Sequence, residues 1–251
     1  MGQGFIAVAF GDGIHRLHLE SGALELLWAA SEKQPRTRFN DGKVDPRGRF
    51  WASTMQNNFD SSGEPQAIDR RDGSLFRFST DGTVSTIEEN LGCGNTLAWS
   101  PDQRRFYFAD SLENQIYVYD YDADSGEVRN RRPFFTIADC GVPDGSAMDQ
   151  DGCLWNARCN AGVILRITPE GKVDRKIALP VPRPTSCAFG GPNLDTLFVT
   201  SARGLLDAAS LIKAPLSGSV FTISGVGKGI AVPPLNWQRP TKAINQLETT
   251  P

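Results

Sequence analysis

The sequence predicts an all-β fold, and within that class a β-propeller. Short apolar or alternating runs are separated by Asp-Gly, Pro-Asp, Gly-Gly and Ser-Gly turns, and convincing long helical patterns are absent from the sequence. Both features are typical of all-β proteins. A strand-like run also recurs every 43 to 56 residues, at positions 5–8, 50–52, 106–108, 154–155 and 197–199. That spacing is in the range of four-stranded propeller blades.

The repeat contains the same elements in the same order. Four of the five runs follow a polar turn, at residues 45–48, 100–102, 149–152 and 190–193. A second apolar run follows each of the five, at residues 14–19, 75–78, 116–121, 163–167 and 220–223. Because one blade cannot bury both of its faces alone, blades stack radially around a channel. The sequence therefore predicts a single β-propeller domain over residues 1–232, followed by a polar C-terminal tail over residues 233–251.

The composition is ordinary for a soluble globular protein. The formal net charge is −3, with 39% hydrophobic and 22% charged residues, and no dense Lys/Arg block is present in the sequence. We therefore expect no nucleic-acid partner. The N-terminal segment has neither a basic region nor a long apolar run, which predicts no signal peptide and no membrane partner. Five cysteines without C-x-x-C spacing indicate free thiols in a reducing compartment, so a cytoplasmic location is predicted.

Three polar turns, each just ahead of a strand, carry the candidate functional residues. They are residues 38–45 (RFNDGKVD), 94–99 (GNTLAW) and 141–145 (GVPDG). Asn, Asp and Gly tolerate left-handed backbone and bond locally, so each stretch on its own predicts a polar turn. Three such turns from separate repeats can nevertheless meet in one place and supply a cation, amides and a carboxylate to one site.

These stretches resemble one known family over nearly the whole chain, from about Gly4 to Ala231. The resemblance rests on residues 38–45, 48–55, 95–99, 108–111, 119–122, 141–145 and 185–191, in that order. The chain is similar to the senescence marker protein, regucalcin and gluconolactonase family, which also contains luciferin-regenerating enzymes. The resemblance implies a six-bladed β-propeller with a divalent metal at the mouth of its channel, and hydrolysis of sugar (aldonic acid) lactones.

The resemblance also implies a role for individual residues. Asn95 and Asp144 correspond to metal ligands, and Asp144 also corresponds to the general base. Arg38 and Asn40 correspond to residues that hold the oxygens of the substrate. Some family members contact substrate through a carboxylate where this chain has Asn57-Asn58, so we expect an amide contact from Asn58 and an altered substrate preference.

The chain departs from the family pattern at its front. The family's remaining metal ligand is a Glu in a turn ahead of the first blade, and the residues from Met1 to Phe5 already align with the second blade. About one N-terminal blade, roughly 60 residues, is expected to be missing. Two explanations remain open: the sequence begins at an internal Met, which we favour, or the protein is a shortened relative.

The residue types agree with this chemistry. Asn and Asp side chains supply the oxygen ligands that Ca²⁺, Mg²⁺ and Mn²⁺ prefer and that Zn²⁺ accepts. A metal that polarises the lactone carbonyl, together with Asp144 as base, suits ester hydrolysis. Two alternatives stay open at this point: a non-catalytic calcium-binding or interaction propeller, and an inactive truncated relative.

Overall fold

The computed structural model describes residues 4–29 and 36–236, which form five antiparallel sheets stacked as the blades of a propeller. Blade 1 contains β1 (Phe5–Phe10), β2 (Gly13–His18) and β3 (Leu24–Ala29), and blade 2 contains β4 (Thr37–Val44), β5 (Phe50–Gln56), β6 (Gly73–Phe78) and β7 (Val84–Leu91). Blade 3 contains β8 (Gly94–Trp99), β9 (Arg105–Asp110), β10 (Gln115–Tyr121) and β11 (Val128–Phe135). Blade 4 contains β12 (Val142–Met148), β13 (Leu154–Cys159), β14 (Val163–Ile167) and β15 (Val173–Ala178), and blade 5 contains β16 (Pro184–Gly190), β17 (Thr196–Ser201) and β18 (Val220–Ser224).

The predicted all-β propeller class is confirmed, but the blade count differs from the expected six-bladed ring. The described residues form five blades, three of four strands and two of three strands. The reason is visible in the sequence, because each blade is one copy of the repeat and five copies are present. A short 3₁₀ helix (Ser111–Glu113) follows β9, and one α-helix, α1 (Ala208–Lys213), precedes β18.

The predicted domain boundary falls near the end of the described chain. Residues 225–236 carry neither strand nor helix, and residues 237–251 of the expected tail lie outside the described residues. The division into a domain and a tail stays a prediction. Within the described part of the chain, no helix combines the length and apolar character needed to cross a membrane.

Apolar side chains fill the spaces between neighbouring blades. Trp51 of blade 2 meets Trp99 of blade 3 with ring centroids 5.7 Å apart, and both rings contact Phe106. Trp155 of blade 4 packs against Phe189 of blade 5 at 5.9 Å. The packing follows from the alternation of side chains on each strand, since one face of a blade buries its apolar residues against the next blade.

Two blades are anchored by the same buried carboxylate motif. Asp45 and Asp149 are each at most 1% exposed. The Oδ1 of each accepts hydrogen bonds from the backbone N–H groups two and four residues later, at 2.8–3.1 Å. The Oδ2 of each accepts from the indole N–H six residues later, Trp51 at 3.0 Å and Trp155 at 2.8 Å. In each blade, a single Asp thus fixes the turn through Oδ1 and the following strand through Oδ2.

Each of these carboxylates is also paired with an arginine. Arg49 Nε donates to Asp45 Oδ2 at 2.6 Å, and Arg166 Nε donates to Asp149 Oδ2 at 2.8 Å. The hydroxyl of Tyr121 donates to Asp45 Oδ2 from blade 3 at 2.9 Å. Buried charges need a partner and hydrogen bonds, so loss of either arginine would leave a buried carboxylate without its ion-pair partner.

The innermost strands of blades 2 to 5 each contain an irregularity in pairing. The register shifts between Phe39 and Gly42 in β4, between Asn95 and Ala98 in β8, between Pro143 and Ser146 in β12, and between Pro184 and Ser186 in β16. Such bulges free residues from the ladder and redirect their side chains. The three polar turns identified in the sequence coincide with the shifts in β4, β8 and β12, which places them at corresponding points of three blades.

Asp149→Asn is expected to lower the free energy of unfolding by about 1–3 kcal/mol, because an amide has only one acceptor oxygen for the buried donors that the two carboxylate oxygens of Asp149 now satisfy. Arg166 keeps its ion pairs with Asp151 and Asp174. Urea unfolding followed by tryptophan fluorescence measures the change. The matched control is Asp124→Asn, at a carboxylate whose side chain is 88% exposed, where a change within about 0.5 kcal/mol is expected. Equal effects of the two substitutions would contradict the anchoring role.

Candidate active site

A continuous row of hydrogen bonds connects four of the five predicted site residues. Arg38 donates from Nε and Nη2 to Oδ1 of Asn58, at 3.1 and 2.9 Å, and from Nη1 to Oδ1 of Asn40 at 3.3 Å. Asn40 Nδ2 donates to Asn95 Oδ1 at 3.1 Å and to the carbonyl of Gly94 at 3.0 Å. The row begins in blade 2 and ends on β8 of blade 3, so it crosses from one blade to the next.

The fifth predicted residue, Asp144, lies on the adjoining blade and connects to the row through a serine. Asn95 Nδ2 donates to Ser111 Oγ at 2.7 Å, and Ser111 Oγ donates to the carbonyl of Pro143 at 2.6 Å. Thr96 Oγ1 donates to the carbonyl of Asp144 itself at 2.5 Å. The innermost strands of blades 2, 3 and 4, with Asn58 just after β5, therefore bring all five predicted residues into one connected region.

Asp144 carries a carboxylate in an environment that disfavours its charge. Burial, with a smaller contribution from the nearby charge of Asp41, raises the pKa of this partly buried carboxyl to about 7, while the N–H of Gly145 and the charge of Arg183 oppose the shift. Within the described chain, the hydrogen bond to its carboxylate comes from the N–H of Gly145, at 3.1 Å to Oδ1. A carboxyl with this pKa exchanges a proton near neutral pH.

Asp41 and Lys43 place two charges of opposite sign near Asp144. Lys43 Nζ donates to the carbonyl of Ser146 on β12 at 2.6 Å. Burial raises the pKa of Asp41 and lowers the pKa of Lys43, and each charge offsets part of the shift of the other. No role was predicted from the sequence for either residue. Their separation by two positions is a signal that could have shown that both side chains lie on one face of a strand.

The guanidinium of Arg38 is held between polar and aromatic groups. Besides its amide partners it lies over the ring of Phe59, with Cζ 5.4 Å from the ring centroid. Burial lowers its pKa from the ordinary value, but an arginine side chain stays charged in proteins. The group therefore offers a fixed positive charge at the end of the row.

Cys93 is a neutral thiol within the row. Its Sγ lies 3.6 Å from Nδ2 of both Asn40 and Asn95, and it donates to Met55 Sδ at 3.6 Å. Burial, with a smaller effect of Asp144, raises the pKa of the Cys93 thiol to about 12. Because the thiolate is the nucleophilic form of cysteine, Cys93 packs the site and does not act as a nucleophile at neutral pH.

The oxygen atoms in this region have the chemistry of a hard-cation site. Asn95 Oδ1 is an uncharged oxygen ligand, and Asp144 supplies a carboxylate that accepts a single hydrogen bond in the described chain. Oxygen ligands of this type suit Ca²⁺, Mg²⁺ or Mn²⁺. A cation next to Asp144 would also relieve the repulsion from Asp41. No cluster of three or more His, Cys, Asp or Glu side chains is present among the described residues, so these two residues would supply only part of a coordination shell.

Comparison with known proteins identifies what the chain is similar to. Residues 1–203 match the family model described as SMP-30/Gluconolactonase/LRE-like region. Regucalcin from Xenopus laevis is 38% identical over 232 residues, which is 91% of this chain and 76% of the relative. The crystal structure of a calcium-binding regucalcin from Agrobacterium tumefaciens superposes with a TM-score of 0.85 and 28% identity, covering 94% of this chain and 77% of that one. A luciferin-regenerating enzyme superposes with a TM-score of 0.82 and 33% identity, covering 93% and 78%.

The raised pKa of Asp144 predicts a pH dependence of stability in the metal-free protein. An unfolded Asp titrates near pH 4, so between about pH 4 and pH 7 the folded chain holds a proton on Asp144 that the unfolded chain has lost. The contribution of this group to stability therefore falls as the pH rises through that window, by up to about 4 kcal/mol.

Urea unfolding of wild type and Asp144→Asn between pH 4.5 and 7.5, in the presence of a chelator, measures this contribution. The difference between the two proteins isolates Asp144, because all other carboxyl groups are common to both. Wild type is expected to lose stability relative to the variant as the pH rises. Parallel curves would show that Asp144 titrates at its ordinary pKa.

Proposed function

Because the chain belongs to the SMP-30/gluconolactonase/LRE-like family, we propose that it hydrolyses lactones of sugar acids. The observation that carries the proposal is the row from Arg38 through Asn40 to Asn95, beside a carboxyl group, Asp144, whose pKa of about 7 suits proton exchange at neutral pH. The row offers donors and a positive charge for an oxygen-rich ligand, and the carboxyl offers a base.

Lactone hydrolysis needs a base for the attacking water and a proton for the leaving oxygen. Asp144 accepts the proton from a water molecule as its oxygen bonds to the lactone carbonyl carbon. When the ring C–O bond breaks, the same proton passes from Asp144 to the departing ring oxygen, which completes the opened hydroxy acid. A bound cation would lower the pKa of Asp144 below its cation-free value of about 7, which would keep the carboxylate ionised as the base for the attacking water.

A divalent cation is part of the proposal, as calcium, magnesium, manganese or zinc. Asn95 Oδ1 and the carboxylate of Asp144 would hold it, and when bound it would polarise the lactone carbonyl. The relative from Agrobacterium tumefaciens is described as a calcium-binding protein, which supports a cation of this kind. The further Glu ligand implied by the sequence resemblance remains a prediction.

Arg38 and Asn40 are proposed to bind the substrate. The guanidinium donates hydrogen bonds to ring hydroxyls, and the Oδ1 of Asn40 accepts from them. The positive charge of Arg38 also stabilises negative charge that develops on oxygen. Asn58 is 5% exposed, with Oδ1 bonded to Arg38 and Nδ2 donating to the carbonyl of Gln66 at 3.3 Å. We therefore propose that Asn58 affects substrate binding by orienting Arg38.

The cellular setting follows from the thiols and the charge. All five cysteines are free and buried, in agreement with a reducing compartment, and a cytoplasmic location is proposed. The proposed partner is a small sugar lactone, with no nucleic-acid or membrane partner.

A pH-stat assay with gluconolactone and added Ca²⁺, Mg²⁺, Mn²⁺ or Zn²⁺ tests the function. We expect hydrolysis above the spontaneous rate, stimulation by at least one cation, and a loss of about 10²- to 10⁴-fold in kcat in Asp144→Asn, which is the range of general-base catalysis. Asp124→Asn is the control and should keep full activity.

Two outcomes would contradict the proposal. One is the absence of cation-stimulated hydrolysis of any aldonolactone, and the other is an unchanged rate in Asp144→Asn. Cation binding by calorimetry without turnover would instead support the non-catalytic calcium-binding alternative.

Asn58→Ala is expected to raise KM for gluconolactone several-fold and to leave kcat within about threefold, because loss of binding that is equal in the ground and transition states appears in KM. Steady-state kinetics gives both constants. Asn193→Ala, at an exposed asparagine on blade 5, is the matched control. A fall in kcat at constant KM would place Asn58 in the chemical step.

A further inference from the structure

We propose that Ser111 and Thr96 form a hydroxyl clamp that positions Asn95 and Asp144 for cation binding. This inference rests on the proposed function, because it assigns a task to residues behind the proposed ligands. Ser111 and Thr96 both belong to blade 3, and their hydroxyls donate to the consecutive carbonyls of Pro143 and Asp144 on blade 4. Both are positioning residues, since neither is proposed to contact substrate.

Ser111 determines which end of the Asn95 amide faces the site. A carbonyl oxygen only accepts hydrogen bonds, so the single hydroxyl hydrogen of Ser111 goes to Pro143, 2.6 Å away. The hydroxyl oxygen is then an acceptor for Asn95, which must present Nδ2 to it, at 2.7 Å. Asn95 Oδ1 is consequently turned the other way, towards Asn40. An oxygen, and not an NH₂ group, is what a cation requires at this position.

The backbone around Ser111 is held firmly enough for this task. Ser111 is 6% exposed, and its N–H donates to the carbonyl of Cys93 at 2.9 Å. The preceding Asp110 is fully buried, and its carboxylate accepts from the backbone N–H groups of Gly92, Cys93 and Leu112 at 2.9–3.1 Å. The 3₁₀ turn and the strand that carries Asn95 are therefore fixed to each other.

Thr96 provides the second contact, and its backbone is strained. It is fully buried with φ +59°, a left-handed conformation that is unusual for a β-branched residue. Its hydroxyl donates to the Asp144 carbonyl at 2.5 Å and accepts from Asn156 Nδ2 and Ser146 Oγ, each at 3.2 Å. Strain of this kind persists where the surroundings over-determine it, and it clusters at functional sites.

Together the two contacts fix the separation of the proposed ligands. The carboxylate of Asp144 has one hydrogen bond in the described chain, from the neighbouring N–H of Gly145, so the backbone sets its position. That backbone is held at two successive carbonyls by the same blade that carries Asn95. Loss of either hydroxyl should therefore weaken cation binding, as loss of outer-shell partners does in metal sites.

Calorimetric titration with Ca²⁺ and Mn²⁺ alone tests the clamp without relying on turnover. Ser111→Ala and Thr96→Val are expected to weaken binding about 10- to 100-fold, whereas Thr96→Ser, which keeps the hydroxyl, should bind as wild type does. Thr136→Val is the control, because it removes an exposed hydroxyl that donates to the Asn114 carbonyl at 2.8 Å. Near-UV circular dichroism establishes that each variant is folded.

A double-substitution cycle separates amide orientation from general loss of structure. In Asn95→Asp both side-chain termini are oxygens, so the orientation set by Ser111 no longer matters. We expect Ser111→Ala to weaken cation binding much less in the Asn95→Asp background than in wild type. An equal loss in both backgrounds would show that Ser111 has a structural role only.

The outcomes distinguish the clamp from the proposed function. A wild-type chain that neither binds these cations nor hydrolyses lactones overturns the proposed function and the clamp with it. A wild-type chain that does both, with unchanged cation affinity in Ser111→Ala and Thr96→Val, overturns the clamp alone. If Thr96→Val does not fold, the clamp is tested by the cation affinities of Thr96→Ser and Ser111→Ala together with the Ser111→Ala and Asn95→Asp double-substitution cycle.

Discussion

Lys43 joins two blades that are not neighbours in the sequence. Its Nζ, on the innermost strand of blade 2, donates to the carbonyl of Ser146 on blade 4 at 2.6 Å. Packed sheets lie about 10 Å apart, so a straight stack would separate blades 2 and 4 by roughly 20 Å. The contact requires the innermost strands to converge on a common axis. The ammonium of Lys43 is half-buried and its charge is offset by Asp41 on the same strand, but its hydrogen bond to Ser146 forms only when the blades fan out around that axis.

The same constraint governs the other polar groups on the innermost strands. Ser53 Oγ of blade 2 and Asn40 Nδ2 both donate to the carbonyl of Gly94 on blade 3, at 2.8 and 3.0 Å. Thr96 and Ser111 of blade 3 donate to blade 4. Each blade thus satisfies its buried polar groups on the next one, as buried groups in native structures generally are satisfied. Apolar packing between the outer strands adds area, while these hydrogen bonds set the register of the blades.

Asp144 is the exception that gives the region its chemistry. Asp45 and Asp149 are more deeply buried than Asp144, but each is paired with an arginine and accepts four or five hydrogen bonds, and they act as anchors of the fold. Asp144 has no such partner in the described chain, and burial raises its pKa to about 7. Perturbed carboxyl groups of this kind are typical of functional sites. The difference between an anchor and a candidate base is therefore the number of donors around the carboxylate.

The sequence alone determined the fold class, the repeat and the family. Turn residues and alternating strands act over a few positions, so two strands of each blade, the turns at Asp45 and Asp149 and the motifs at Arg38, Asn95 and Asp144 could be found from local patterns. The family membership predicted from those motifs is confirmed. The six-bladed ring with about one blade missing, which the resemblance implied, is corrected to five blades in the described residues.

The tertiary structure alone decided how the polar turns are connected. The contacts of Lys43 with Ser146, of Asn40 with Asn95 and of Thr96 with Asp144 join residues 48 to 103 positions apart, and no local pattern encodes such pairs. Ser111 and Thr96 were missed for this reason, and Asn58 proved to be bonded to Arg38. Local chemistry fixes which residues form turns and strands, whereas convergence of the blades on one axis fixes which of those residues meet.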